Sequence, residues 1–301
     1  MPAADASLWG RFLAFSFYQH ALLAGLAVAL ACAVLSVFVV QRRMAFIGEG
    51  VSHAAFGGIS VALLLEVVFP QLRHALVRQA IVAVFCVGTA ILMGRLARQR
   101  RVGTDSAIGI ALVAAMAIGV ILLDLRVEWV RALASRGAAG AIGQGYTPSF
   151  HDILFGNILS ITRAETIVAC AVSGAVVLWV VLSLRGLVFY AADEEAAVTF
   201  GLPVGFLHYG LLTALGVTIV VAMRLLGVIL VSALLILPGI IAGFWSRRIT
   251  RVLWVAILAA TLSITLGLVL AMQLEILSTG PVIVVVLTLL FAASWLLRGR
   301  R

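Results

Sequence analysis

The sequence predicts an all-α fold, a polytopic membrane helical bundle with eight or nine transmembrane helices. Hydrophobic residues make up 64% of the 301-residue chain, charged residues only 11%, and the mean hydropathy is +1.21. A soluble domain carries about twice that share of charged residues, which it needs to cover its surface. Long apolar runs recur along the chain, separated by short segments that contain arginine. Together these features exclude a water-soluble globular protein and intrinsic disorder.

Nine apolar segments are candidates for crossing a bilayer, which requires about 20 mostly apolar residues. They are residues 18–40, 51–69, 80–94, 106–123, 164–184, 208–222, 227–245, 252–273 and 280–297. The third and the sixth are short, so a bundle of eight spans is the alternative. Residues 1–17 precede the first span, and their aromatic, amphiphilic character predicts an N-terminal segment that lies at the membrane interface. Residues 18–301 are then a single transmembrane domain.

The basic residues predict how this bundle is oriented. The formal net charge is +9, and all 21 basic residues are arginine. If the N-terminus is outside, the densest clusters, RLARQRR at residues 95–101 and the C-terminal RGRR, fall on the cytoplasmic side. This is the distribution that the positive-inside rule describes. The basic excess therefore indicates a lipid bilayer as the partner and no nucleic acid.

The residue types that are missing exclude some chemistry. A nucleotide-binding P-loop needs a Gly-Lys-Ser/Thr sequence, and this chain has no lysine. If its work is driven by ATP, another subunit must bind the nucleotide. Cys32, Cys86 and Cys170 lie singly in apolar runs, without the spacing of a metal site, which predicts that they are small buried hydrophobic residues.

The segment RRMAFIGEGVSHAAFGGIS (residues 42–60) contains the strongest candidate for a metal site. Glu49 and His53 are four residues apart, which places both side chains on one face of a helix. A carboxylate oxygen and an imidazole nitrogen are ligands suited to zinc, manganese or iron(II). Two alternatives stay open. Glu49 pairs with Arg42 or Arg43 at the interface, or His53 is a structural histidine of the bundle.

The only acidic run of the chain opens the segment DEEAAVTFGLPVG (residues 193–205), in a predicted cytoplasmic connection. Acidic residues favour the N-terminus of a helix, and Gly201 with Pro203 favours its end. The pattern predicts a short helix that a soluble partner can engage as a rigid handle. An ordinary interfacial helix is the alternative.

A third segment, RLLGVILVSALLILPGIIAGFW (residues 224–245), interrupts an apolar span with proline. Pro238 removes a backbone hydrogen bond, and Ser232 can bond a backbone carbonyl or a neighbouring helix. The segment predicts a kinked, closely packed helix that lines a transport path. A purely structural kink is the alternative.

In combination, these segments resemble the membrane permease subunit of zinc, manganese and iron ATP-binding-cassette importers, the ABC-3 family. RRMAFIGEGVSHAAFGGIS is similar to the family's Arg-rich segment with Gly-Asp and Ser-His-Ala, and GVILVSALLILPGIIA to its Ser-Ala-Leu-Leu-Ile-Leu-Pro helix. LFGNILSIT (residues 154–162), DEEAAVTFGLPV and Ser-Thr-Gly-Pro at residues 278–281 also fit. Glu49 stands where the family usually has Asp, which keeps the charge on a longer arm, and Asn157 replaces an Asp.

The resemblance implies a transport function and no enzymatic activity. Residues 18–301 would be the permease domain, acting as a homodimer in the plasma (inner) membrane by alternating access. Cytoplasmic ATPase subunits would bind ATP, and an extracytoplasmic metal-binding protein would deliver Zn²⁺, Mn²⁺ or Fe²⁺ for transient coordination by Glu49 and His53. The chain itself would hold no cofactor. The implied ATPase-coupling residues are Asp193, Glu194, Glu195, Ala196 and Gly201.

Two other functions remain as alternatives. An ATP-independent secondary metal-ion transporter usually shows inverted repeats, and none is evident along this sequence. An intramembrane enzyme would need a Ser/His pair, for which His53 with Ser52 or Ser232 is only a loose candidate.

Overall fold

The computed structural model describes residues 16–72, 74–98, 103–135, 156, 161–274 and 279–298. These ranges contain eleven α-helices and one 3₁₀ turn, Pro70–Leu72, which confirms the all-α fold class. The helices are α1 Ser16–Gln41, α2 Ala45–Val68, α3 Ala75–Ala97, α4 Thr104–Ser135, α5 Arg163–Leu182, α6 Leu184–Ala192, α7 Glu194–Thr199, α8 Val204–Leu226, α9 Val228–Trp245, α10 Ile249–Gln273 and α11 Thr279–Arg298.

Nine of the helices in these ranges are long and apolar enough to cross a membrane, all except α6 and α7. The two predicted spans that looked short are the 23-residue helices α3 and α8. Helix α3 begins before its apolar run because the guanidinium of Arg78, near its start, binds Glu66. The interfacial segment predicted for residues 1–17 lies outside the described residues as far as residue 15.

Helix α4 departs most from its predicted bounds. It has 32 residues, about 48 Å at 1.5 Å per residue, and so exceeds a hydrocarbon core of about 30 Å. The apolar run ends at Asp124, but the helix continues to Ser135. Charged residues do not end a helix when they stabilise it by local pairing, as Arg131 does with Glu128 at 2.8 Å.

The chain forms two compact units. The first unit comprises Met1–Arg43, His151–Asp193 and Val221–Arg301, and the second comprises Met44–Phe150 and Glu194–Val220. The described helices of the first unit are α1, α5, α6, α9, α10 and α11. Those of the second are α2, α3, α4, α7 and most of α8.

In the first unit, α1 is the central helix and packs against α5, α9 and α10. Helix α9 approaches α1 closely at Gly239, where an added Cβ would lie 2.6 Å from the carbonyl oxygen of Ser36. Cys32 of α1 is buried, as predicted. Cys170 is exposed, and its predicted burial is wrong, because it lies on the outer side of α5 with Ile167 and Leu178.

In the second unit, α2 is the central helix and packs against α3 and α4. Small residues allow this contact, because an added Cβ at Gly57 would lie 2.7 Å from the carbonyl oxygen of Ala115 in α4. On the other side of α3, Gly94 accommodates His208 and Leu212 of α8. Helix α2 is thereby held on two sides, which fixes the position of the candidate metal ligands it carries. Cys86 of α3 is buried, as predicted.

Candidate metal and coupling sites

Helix α2 presents the predicted ligand pair on one face. The Nε2 atom of His53 lies 2.8 Å from Oε1 of Glu49, as the spacing of four residues predicts. The side chains keep 31% and 39% exposure respectively, so both are accessible to a small ion. A neutral imidazole and a carboxylate at this separation can ligate one divalent cation in place of the hydrogen bond they share.

The start of α2 determines where this pair lies. Helix α2 begins at Ala45, after Arg43 in the left-handed region with a φ of 55°. Glu49 is therefore little more than one turn inside the helix. Arg42 stacks on the ring of Tyr190 at 4.1 Å from the centroid and donates to the Tyr190 carbonyl at 3.2 Å. The pairing of Glu49 with Arg42 or Arg43 stays an alternative.

The described residues contain no group of three or more His, Cys, Asp or Glu side chains that could hold a metal ion. Glu49 and His53 therefore offer an ion at most two side-chain ligands from the described part of one chain. Structural metal sites are closed by four or more ligands, whereas this pair leaves most coordination positions open.

The coupling segment, residues 193–201, contains the short helix that the sequence predicts, α7. The helix ends in a Schellman turn, in which Gly201 N–H bonds the Val198 carbonyl at 2.9 Å and Leu202 N–H bonds the Ala197 carbonyl at 3.0 Å. This turn requires a left-handed residue, and Gly201 has a φ of 74°. Glycine adopts that conformation without strain.

Helix α7 has an inner and an outer side. On the inner side, Ala197 is fully buried, and the Glu194 carboxylate forms an ion pair with Arg98 at the end of α3. The outer side bears Glu195, Val198 and Phe200, all exposed. Phe206, just beyond the segment, and Asp193, at its start, are exposed as well. Ala196 is half-buried. The exposed side therefore places the Glu195 carboxylate beside several apolar groups.

The predicted kink residues lie in α9, in the first unit. Helix α9 runs from Val228 through Pro238 to Trp245, and Pro238 has no N–H for the Leu234 carbonyl. The hydroxyl of Ser232 donates to the Val228 carbonyl of its own helix at 3.0 Å, and both Ser232 and Pro238 are buried. These contacts agree with the structural alternative. A role in lining a path stays a prediction.

Two ion pairs between helices were not recognised in the sequence. Both carboxylate oxygens of Glu66 bind Arg78, at 2.5 and 3.1 Å. Arg98, which lies in the basic cluster of residues 95–101, binds Glu194 of α7. A charged residue near the end of an apolar run is the only local signal for either pair. Of the LFGNILSIT segment, residues 154–155 and 157–160, including Asn157, lie outside the described residues, as does Ser278.

The long apolar helices define a multi-pass membrane protein. The chain belongs to the ABC 3 transport family, which it matches over residues 14–298. This confirms the family resemblance and identifies the chain as a membrane permease of the ATP-binding-cassette class.

Relatives agree over nearly the full length. The chain is 33% identical over 288 residues to the chelated iron transport system membrane protein YfeD of Yersinia pestis, covering 96% of this chain and 88% of that protein. It is 30% identical over 285 residues to the manganese transport system membrane protein MntC of Halalkalibacterium halodurans, covering 95% and 88%. Among solved structures, PsaBC from Streptococcus pneumoniae in complex with Fab matches with a TM-score of 0.75 and 25% identity, covering 96% of this chain and 94% of that one.

Proposed function

We propose that this chain is the permease of an importer for a divalent transition-metal ion, manganese, iron(II) or zinc. The observation that carries the proposal is the Glu49–His53 pair of α2, with its nitrogen and oxygen donors 2.8 Å apart. The relatives named above serve iron and manganese transport systems, which supports those two ions. Zinc is included on the donor types alone.

The small number of ligands suits passage better than storage. An ion in a transport path must leave as readily as it enters, so its site has to be weak and exchangeable. Two side chains from one copy meet that need, and water completes the shell. A second copy of the chain in a homodimer would bring a second pair to a shared path, and an extracytoplasmic metal-binding protein would supply the ion.

The energy source in this proposal is a separate cytoplasmic ATPase subunit. The outer side of α7 supports such a contact, because Val198 is 58% exposed, Phe200 73% and Phe206 62% beside the acidic Glu195. Exposed apolar groups next to a charge are typical of a protein interface. ATP-driven movement of the coupling segment would then alternate access to the Glu49–His53 site.

The test is uptake of radiolabelled manganese, iron(II) and zinc by proteoliposomes that hold the permease, its ATPase and its binding protein. We expect His53→Ala and Glu49→Gln to lower uptake at limiting metal by at least about tenfold, because each removes one of two ligands. Glu49→Asp should retain part of the activity, since it keeps the carboxylate. ATPase activity in the absence of metal reports that the complex is intact.

His74→Ala is the matched control, because it removes an exposed imidazole of the same unit that precedes α3. It should leave uptake unchanged. Normal uptake by His53→Ala would remove this histidine from the path. Uphill uptake by the permease alone, without ATPase, would favour the secondary-transporter alternative.

A further inference from the structure

We propose that Arg98, Met93 and Gly50 are positioning residues that link the coupling helix α7 to the metal-bearing helix α2. The inference rests on the proposed function and deepens it, because it assigns how movement at the coupling segment reaches Glu49 and His53. None of the three residues need touch the ion. All the contacts involved lie within the second unit.

The first contact joins α7 to α3. Arg98 is the C-terminal cap of α3, and its side chain forms an ion pair with Glu194, the first residue of α7. The charges also agree with the two helix dipoles, since a cation favours a helix C-terminus and an anion favours an N-terminus. Movement of α7 therefore acts directly on the end of α3.

A second contact supports the first through the helix that follows α7. Gly94 of α3 faces Leu212 and His208 of α8 so closely that an added Cβ would lie 2.9 Å from Nε2 of His208. At a second position of the α3–α8 contact, an added Cβ at Gly216 would lie 3.1 Å from the Cα of Val87. Because α3 and α8 approach each other this closely, the two helices have little room to slide past each other. A movement of α7 therefore shifts α3 and α8 together.

The third contact passes from α3 to α2. The fully buried Met93 lies on Gly50, where an added Cβ would be 2.7 Å from its Cε atom and 2.9 Å from Cγ2 of Ile108. Gly50 is the residue after Glu49, and Met93 is about 7.5 Å along the helix axis from Arg98. A shift of α3 at Met93 therefore displaces α2 at Gly50, next to the candidate ligand Glu49.

Because the Arg98–Glu194 ion pair is partly exposed, its role in coupling can be tested separately from folding stability. The side chains of Arg98 and Glu194 are 39% and 26% exposed, and ion pairs this open contribute little to folding stability. Loss of the Arg98–Glu194 ion pair should therefore leave the protein folded and lower its transport activity. The chain also offers a matched pair for comparison, Glu128 and Arg131, which are exposed and pair with each other within α4.

The first experiment is a charge exchange in the complete complex of permease, ATPase and binding protein in proteoliposomes. We expect Arg98→Glu and Glu194→Arg each to lower manganese uptake and manganese-stimulated ATP hydrolysis by about fivefold or more. The double exchange should recover most of both activities. Equilibrium binding of Mn²⁺ should stay at the wild-type level in all three, and the double exchange Glu128→Arg with Arg131→Glu should change nothing.

Wild-type activity in both single variants would overturn the proposal, as would a folded double exchange that recovers none of the lost activity. Arg98→Gln gives a milder variant in case a reversed charge prevents assembly, and its uptake should also fall. Failure of the proposed function looks different, since the wild-type complex would then move none of manganese, iron(II) and zinc with ATP.

The second experiment tests the inner contact. Gly50→Ala should lower uptake with little change in Mn²⁺ affinity, because the added methyl displaces Met93 while leaving the ligand atoms in place. Adding Met93→Leu removes the terminal methyl that Gly50→Ala meets at the shortest distance and keeps the core volume, so it should restore part of the uptake, while the contact with Cγ2 of Ile108 stays. Unchanged uptake in Gly50→Ala, or a double variant no better than the single one, would exclude this contact from the link.

Discussion

The two units differ in the kinds of polar group they bury. Among the described residues, the buried polar side chains of the first unit all carry hydroxyls, whereas the second unit buries the carboxylate of Glu66 and the imidazole of His208. A hydroxyl can bond a carbonyl of its own helix, as those of Ser36 and Ser263 do, and this costs little. A carboxylate or imidazole in a membrane is costly unless it is paired.

This difference predicts a division of roles. The first unit is held by apolar and backbone packing, so its variants should act mainly on stability. The second unit carries Glu49, His53 and the coupling helix α7, so its variants should also act on transport. Each of the following measurements either strengthens this contrast or breaks it.

The largest effect is expected from the Arg78–Glu66 ion pair of the second unit, in which the carboxylate is buried and the guanidinium is half-buried. Arg78→Ala leaves the Glu66 carboxylate, which is 8% exposed, without its two guanidinium hydrogen bonds. We expect the free energy of unfolding to fall by about 3 kcal/mol. In the first unit, Arg224→Ala breaks the more open pair with Glu165 and should cost less than about 1 kcal/mol. Reversible unfolding in mixed micelles measures both.

Adding Glu66→Gln to Arg78→Ala should recover part of the loss, because it removes the buried charge. If Arg78→Ala and Arg224→Ala were equally destabilising, burial would not distinguish the ion pairs of the two units.

The next effect concerns backbone packing in the first unit. Gly239→Ala would place a methyl against the Ser36 carbonyl, which cannot move aside without shifting α1, and we expect a loss of about 1–3 kcal/mol. Gly243→Ala, one turn further along α9, meets no atom of the described residues within 4 Å and should be neutral or stabilising. Uptake per folded molecule should stay normal in both. A transport defect in folded Gly239→Ala would contradict a purely structural first unit.

A smaller energetic effect with a larger functional consequence is expected at Gly201. With a φ of 74°, alanine there costs about 1–2 kcal/mol and should distort the turn that ends α7, lowering metal-stimulated ATP hydrolysis. Gly201→Asn should retain more activity, because asparagine tolerates the left-handed region. Gly205→Ala is the control, because its methyl meets no atom within 4 Å in the part of the chain that the structure describes. Equal activity of the alanine and asparagine variants would show that the turn geometry does not matter.

The predictable part of the fold is the part set by local composition. Apolar length alone predicted the nine spans, but it misplaced the ends of α3 and α4. At those ends charged residues continue the helix because Arg78 and Arg131 find partners. Hydropathy counts such residues as boundaries and holds no information about their pairing.

The candidate site shows the same limit. The Glu49–His53 contact follows from a spacing of four residues, and the end of α7 follows from Gly201, so both could be predicted locally. The pair formed by Arg98 and Glu194 joins residues 96 positions apart in the sequence. Only the packing of α3 beside α7 brings them together, and no pattern within either segment indicates that.

The smallest effect is expected at Ser232, and it tests the contrast most directly. Its hydroxyl bonds the Val228 carbonyl, which in a helix also accepts the backbone N–H of residue 232. Ser232→Ala should therefore cost less than about 1 kcal/mol and leave manganese uptake near the wild-type level. If uptake collapsed while the unfolding transition stayed in place, the hydroxyl would have to serve the moving ion. The first unit would then share the transport role assigned to the second.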